Sequence, residues 1–285
     1  MIDTHHHFWR YNPVDFDWIG DEMACLRRHF GPEDLEPVLR CHGVDRVISV
    51  QARQSVEETS DLLEYKRQYS RIAGVIGWLP LRSEHFARWL ESFSTHQKAL
   101  VGLRHVVQGE PPGFLDDNAL NQGIRQLTSR GLVFDLLVFA HQLSETIRFV
   151  DRHPEQIFVL DHLGKPPIRS GAIEPWKSDI RELAARRNVF CKISGGITEL
   201  DLNWEPDRLK PYLDEALEAF GADRLMFGSN WPVIESAGGY DRWLSFVRDW
   251  AARLSVTEQD SLFTSCAERV YLKRPAESKS DLDIG

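Results

Sequence analysis

The 285-residue chain is 42% hydrophobic and 27% charged, enough apolar residues for a large core and too many charges for a low-complexity or membrane composition. Its formal net charge of −9 argues against nucleic acid or an anionic membrane as a partner, because both select a basic face. No apolar run approaches the roughly 20 residues that span a bilayer, and the chain opens on strand-like Ile2 without a basic, apolar leader, so a soluble cytoplasmic protein is expected.

Short β-branched or apolar runs predict strands over 2–5, 47–51, 73–78, 101–105, 133–138, 157–161, 189–193 and 225–227. Segments with apolar residues at helical spacing, including 61–69, 86–93, 143–151, 180–187 and 209–220, lie between them. This alternation predicts a single parallel (β/α)₈ barrel over 1–275, followed by a polar, aperiodic tail over 276–285. A doubly wound sheet would open on a Gly-rich turn, whereas this chain opens on His5-His6-His7-Phe8-Trp9. Helices are expected to start at Asp- or Ser-containing caps, such as Ser144 with Glu145 in the following turn. The segment 11–28 is long for a βα loop and carries Phe16, Trp18 and Met23, so it is expected to fold over the barrel mouth. The scattered cysteines Cys25, Cys41, Cys191 and Cys266 form no Cys-x-x-Cys and read as free thiols.

Three groups of residues carry chemistry. His5 and His7, two apart at a strand end, project to one side and can converge on a divalent metal or a bound carbonyl. His6 points the other way and reads as packed; a tag remnant is disfavoured because the histidines are embedded between Ile2-Asp3-Thr4 and Phe8-Trp9. The run Val159-Leu160-Asp161-His162-Leu163-Gly164-Lys165-Pro166 ends a strand in an Asp-His pair before a Gly/Pro break, on the face where barrels do chemistry. Asp161 reads equally as an ordinary strand-end residue. The run Leu225-Met226-Phe227-Gly228-Ser229-Asn230-Trp231-Pro232 places Asn230 just past the last strand.

Together, His-x-His with Phe8-Trp9, Leu103-Arg104-His105, Asp161-His162-x-Gly-Lys-Pro, Lys192-Ile-Ser-Gly and Gly228-Ser-x-Trp-Pro-Val resemble the sugar-lactonase branch of the amidohydrolase superfamily, over roughly 1–273. That branch opens fucono-, rhamnono-, pyrone or muconolactone rings. The resemblance implies a lactone-hydrolysing enzyme whose site contains His5, His7, His162, Asn230 and Arg104, the last holding a polar substituent or the developing oxyanion. It also implies one divalent metal, zinc by preference, held weakly if at all by His5, His7 and Asn230. The family's histidine after the fifth strand has no clean match, since His141 is displaced into the next helix.

Asn230 falls where the family carries an aspartate that activates water, and a carboxamide is no useful base. Three accounts are open: an introduced Asp→Asn substitution, an enzyme using another base such as His162 or a water polarised by His5 and His7, or a sugar-acid binding protein that has lost catalysis. A decarboxylase or hydratase of the same superfamily is the alternative enzyme. Gln51, Arg53, Trp78 and His105 are candidate contacts for a hydroxyl-rich lactone. Trp231 reads equally as packing and as a ligand contact. Small-molecule lactone is the expected partner, and the sequence carries no signal of oligomeric state.

Overall fold

The computed structural model describes residues 1–96, 98–199 and 204–273. The expected tail over 276–285 lies outside the described residues. Eight parallel strands follow one another in chain order: β1 (Ile2–His6), β2 (Arg46–Val50), β3 (Ile72–Gly77), β4 (Leu100–Val106), β5 (Val133–Leu137), β6 (Phe158–Leu160), β7 (Val189–Ile193) and β8 (Leu225–Phe227). Helices α1 (Pro32–His42), α2 (Val56–Gln68), α3 (Phe86–Ser92), α4 (Asn118–Ser129), α5 (Leu143–Asp151), α6 (Trp176–Ala184), α7 (Pro206–Phe220) and α8 (Gly239–Ala251) alternate with them. The result is the expected (β/α)₈ barrel. Closure between β8 and β1 uses the amide of Asn230 to the carbonyl of His5 and the amide of His7 to the carbonyl of Trp231, each 2.7 Å. The residues after β8 are thereby fixed against the histidines of β1. No helix among the described residues is long and apolar enough to cross a membrane, and all four cysteines are free.

Where the element boundaries differ from expectation, a local cause is visible. Strand β6 stops at Leu160 because His162 and Leu163 take left-handed backbone, φ 55° and 58°. Helix α2 begins five residues earlier than its apolar periodicity suggests, since the Ser55 side chain caps it by accepting from the amide of Glu58. Ser144 does not cap α5: it lies within the first turn, and Gln142 occupies the N-cap position without a side-chain cap. Glu145 instead accepts from the amides of Gly113 and Leu115.

The lower barrel interior is apolar, with Ile2, Ile48, Ile76, Val159 and Met226 packed against Ala267 and Tyr271. These last two belong to a C-terminal segment, a short helix Val256–Asp260 followed by wide turns Ser261–Ser265 and Glu268–Leu272, that closes the floor. An ion pair from Glu268 to Arg46, at the start of β2, helps to hold it there.

Candidate functional site

Asp3 anchors the first strand. It is fully buried, accepts from the amides of His5 and Ser229, and receives the Tyr240 hydroxyl at 3.1 Å. With β1 so fixed, His5 and His7 turn into the barrel while His6 turns out. His6 contacts Ser49 at 2.9 Å and packs against Phe8, as a structural residue does.

His5 and His7 bring their Nε2 atoms to 3.2 Å, and His7 Nε2 lies 3.3 Å from Oδ1 of Asn230. Asn230 reaches this position through left-handed backbone, φ 61°, which asparagine tolerates better than most residues. His162 stacks at a tilt beside His5, ring centroids 4.4 Å apart, and its Nδ1 contacts Ser194 Oγ at 2.8 Å. Burial lowers the pKa of all three rings, that of His7 to about 3. The histidines are therefore neutral at physiological pH and available as proton acceptors or metal ligands.

Beneath them lies an ionic layer that joins Arg104 and Asp161, both marked in the sequence, to Lys192 and Asp135, a linkage that sequence reasoning missed. Arg104 donates to Asp161 at 2.9 Å and to the backbone carbonyl of Gln51, and its Nη1 lies 3.3 Å from His5 Nε2. Asp161 is completely buried; its second oxygen sits 3.0 Å from Lys192 Nζ and 3.4 Å from His5 Nδ1. Burial alone would raise the Asp161 carboxyl, but Lys192, His5 and Arg104 hold it well below the usual carboxylate range. Lys192 is fully buried and bonds Asp135 at 2.5 Å. Asp135, on β5, is pushed up to about 6 by burial, a shift that Lys192 opposes. The available signal was a charged residue inside an otherwise apolar strand: Asp135 within Val133–Leu137 and Lys192 within Val189–Ile193.

Above these groups opens a cavity of about 310 Å³ whose walls include His7, Arg104, His162, Asn230, Trp18 and Lys165. It lies at the C-terminal ends of the strands. A larger cavity of about 440 Å³ at the opposite end is mainly apolar, and the histidine cluster is remote from it. Trp18 brings the 11–28 segment to the mouth, while Phe16 is buried against Trp9. Gln51 is buried beside Arg104, and neither polar atom of its carboxamide has a protein hydrogen-bond partner. Trp78 donates to His105 at 3.2 Å, and His105 contacts Glu110 at 2.7 Å and stacks on Phe114. That group, like Arg53, which pairs with Asp15, is not among the residues lining the mouth cavity. His141 is exposed and stacked on Phe139, also outside it. Trp231 is buried between Phe8 and Phe30, a packing position.

The donors suit one divalent ion. Zinc–nitrogen bonds of about 2.0–2.1 Å at a tetrahedral angle need imidazole nitrogens a little over 3 Å apart, as His5 and His7 have. Asp161 and His162 bring further donor atoms within 4.8 Å of those of His5. Charge is the weakness of this set: the one carboxylate is already paired with Lys192 and Arg104.

An amidohydrolase family model matches residues 2–273. The chain is 39% identical to an L-fucono-1,5-lactonase of Burkholderia multivorans, with 98% of each chain covered. A zinc-bound amidohydrolase structure from Burkholderia multivorans is 40% identical, superposes with a TM-score of 0.92, and is matched over 95% of this chain and 98% of that one. An L-rhamnono-gamma-lactonase of Scheffersomyces stipitis is 26% identical over 61% of this chain and 59% of that one. With nearly its whole length matched and its histidines gathered at the mouth of a (β/α)₈ barrel, the chain belongs to the amidohydrolase family.

Proposed function

We propose that the protein hydrolyses a sugar-acid lactone, of the fucono- or rhamnono-lactone kind, at the barrel mouth. The observation that carries this reading is the convergence of neutral His7 and His162 with Arg104 and Asn230 around one cavity, with buried His5 in contact behind them, in a chain similar throughout to an L-fucono-1,5-lactonase.

The lactone lies with its ring carbonyl toward His5, His7 and Arg104. A zinc ion held by His5, His7 and Asn230 would polarise that carbonyl as a Lewis acid when bound. Water adds to the carbonyl carbon, and His162 takes its proton; the Ser194 contact at Nδ1 orients the ring so that Nε2 is the accepting atom. Asp161 next in sequence favours the imidazolium that forms. Arg104 faces the developing oxyanion, and its Nε is buried without a protein partner. The ring C–O bond then breaks, and the leaving alkoxide recovers the proton from His162. The products are a carboxylate, a hydroxyl and the proton released on ionisation of the acid.

A panel of aldonolactones assayed by proton release tests this reading. Saturable hydrolysis of one or more sugar lactones is expected. Silence of both this chain and Asn230→Asp, with no lactone bound by either, overturns it. Tight lactone binding without turnover in this chain would instead favour a sugar-acid binding protein.

A further inference from the structure

The lower half of the ionic layer takes no part in the steps above, yet it runs without a break from the floor of the barrel to the site. The Tyr271 hydroxyl, on the C-terminal segment, donates to Asp135 Oδ1 at 2.9 Å. Asp135 Oδ2 accepts from Lys192 at 2.5 Å. Lys192 Nζ lies 3.0 Å from Asp161 Oδ1 and 3.4 Å from His5 Nδ1. Asp161 Oδ2 in turn holds Arg104, which reaches the mouth cavity. Asp135, Lys192 and Asp161 are wholly shielded from solvent and Tyr271 nearly so.

We propose that Tyr271 is a positioning residue for the reaction at the opposite end of the barrel, acting through Asp135 and Lys192 on Asp161, His5 and Arg104. The inference rests on the lactone reading for its catalytic consequence, though not for the coupling itself. Two carboxylates share one ammonium, so the place of Lys192 depends on how strongly each attracts it. By donating to Asp135, Tyr271 satisfies one of its oxygens and leaves the other aimed at Lys192. Without that hydroxyl, Asp135 has a buried oxygen to satisfy and turns toward Lys192, the strong donor that remains in contact with it among the described residues. The ammonium then leaves Asp161 and His5, and Arg104 follows Asp161. Barrel interiors are ordinarily filled by layers of branched apolar side chains. Replacing one layer by a fully buried ionic chain is costly in desolvation and gains geometry rather than stability.

Tyr271→Phe removes the hydroxyl and keeps the ring, which packs with Ala267 and the lower barrel layer. The expected result is a kcat on the lactone lowered about five- to tenfold with KM changed less than about twofold. In a 15N-histidine-labelled sample, the imidazole nitrogens of His5 should shift while those of His105 and His153, which do not touch the chain, stay in place. Asp135→Asn, which weakens the same link from the other side, should shift the same His5 signals. Unmoved His5 signals in a folded Tyr271→Phe protein overturn the coupling, and an unchanged kcat overturns its catalytic role. If neither this chain nor Asn230→Asp hydrolyses or binds a lactone, the proposed activity fails on that measurement alone, and the His5 signals still decide whether Tyr271 reaches the site.

Discussion

His7 holds its Nδ1 2.9 Å from the carbonyl oxygen of Val50, and its Nε2 faces Asn230 at 3.3 Å. A carbonyl accepts only, so the neutral ring carries its proton on Nδ1 and turns a lone pair toward residue 230. Such a lone pair can be satisfied by a proton on His5 Nε2, 3.2 Å away, by the Asn230 NH₂ if the amide is turned so that nitrogen takes the place of Oδ1, or by a cation lying between the side chains. The substitution that the family pattern suggests acts at this contact.

Asn230→Asp puts a carboxylate against an unprotonated nitrogen, an arrangement that calls for a cation or a proton between them. Zinc affinity is therefore expected to rise by at least about tenfold, judged from the usual effect of altering groups around a metal. Metal content after purification without chelator should move toward one ion per chain. The added base should also raise kcat, by on the order of 10- to 100-fold if it takes over proton abstraction. Unchanged metal content and an unchanged rate would show that residue 230 is neither ligand nor base.

Arg104 is held by two bonds in different directions, to Asp161 and to the carbonyl of Gln51. Lysine is a point donor that cannot reproduce this fork. Arg104→Lys is expected to lower kcat/KM on the lactone about 100-fold or more through loss of oxyanion stabilisation. A kcat/KM within about twofold of the natural protein would remove Arg104 from the mechanism.

The barrel and the outline of its mouth were legible because their signals are local. Strand runs such as Val189–Ile193, the histidines at β1 and the Gly/Pro break after His162 sit within a few residues of what they specify. The ionic layer was not legible, because its partners are dispersed. Asp135 and Lys192 meet across 57 positions of chain, and Tyr271 reaches Asp135 across 136. Only closure of the barrel makes them neighbours. Asp161 shows the same limit: its sequence context suits an ordinary strand-end residue, whereas Arg104 and Lys192 tie it into the buried layer beneath the histidines. Arg53 shows the converse. Its place after β2 suggested the mouth, but Glu58 binds the amides of Ala52 and Arg53 and bends the loop so that the guanidinium meets Asp15.

Trp18 is 41% exposed, forms part of the cavity wall, and stands edge-on to buried Trp9, 6.0 Å between ring centroids. A supported indole at the rim offers a flat apolar face to the C–H side of a sugar ring. Trp18→Ala should raise KM about tenfold, equivalent to roughly 1.4 kcal/mol of binding, with kcat changed less than about twofold. Trp18→Phe should recover most of the loss. Steady-state kinetics on the preferred lactone checks both, and an unaltered KM in Trp18→Ala places the sugar elsewhere in the cavity.

The buried histidines also set the acid limit of the fold. Burial lowers His6 and His7 to about 3, and His5 and His162 well below their ordinary value. As the pH falls below about 6.5, the unfolded chain protonates these rings while the folded protein does not. Stability is then lost at up to about 1.4 kcal/mol per pH unit for each such histidine. Glu58, raised by burial to about 7, and Asp135, raised to about 6, act in the opposite sense. They bind protons in the folded protein before the unfolded chain does, and so offset part of the loss between about pH 7 and 4. Burial also lowers His105 and His153 and raises Asp3, Asp179 and Glu235, and the six histidines, whose unfolded rings titrate near 6.5, carry the larger share, so the urea midpoint should fall from pH 7 to pH 5. Replacing His6, which lies outside the mouth cavity, by asparagine should flatten that slope by roughly one histidine's share. A midpoint that holds level or rises over this range would mean that the buried rings are charged in the folded protein.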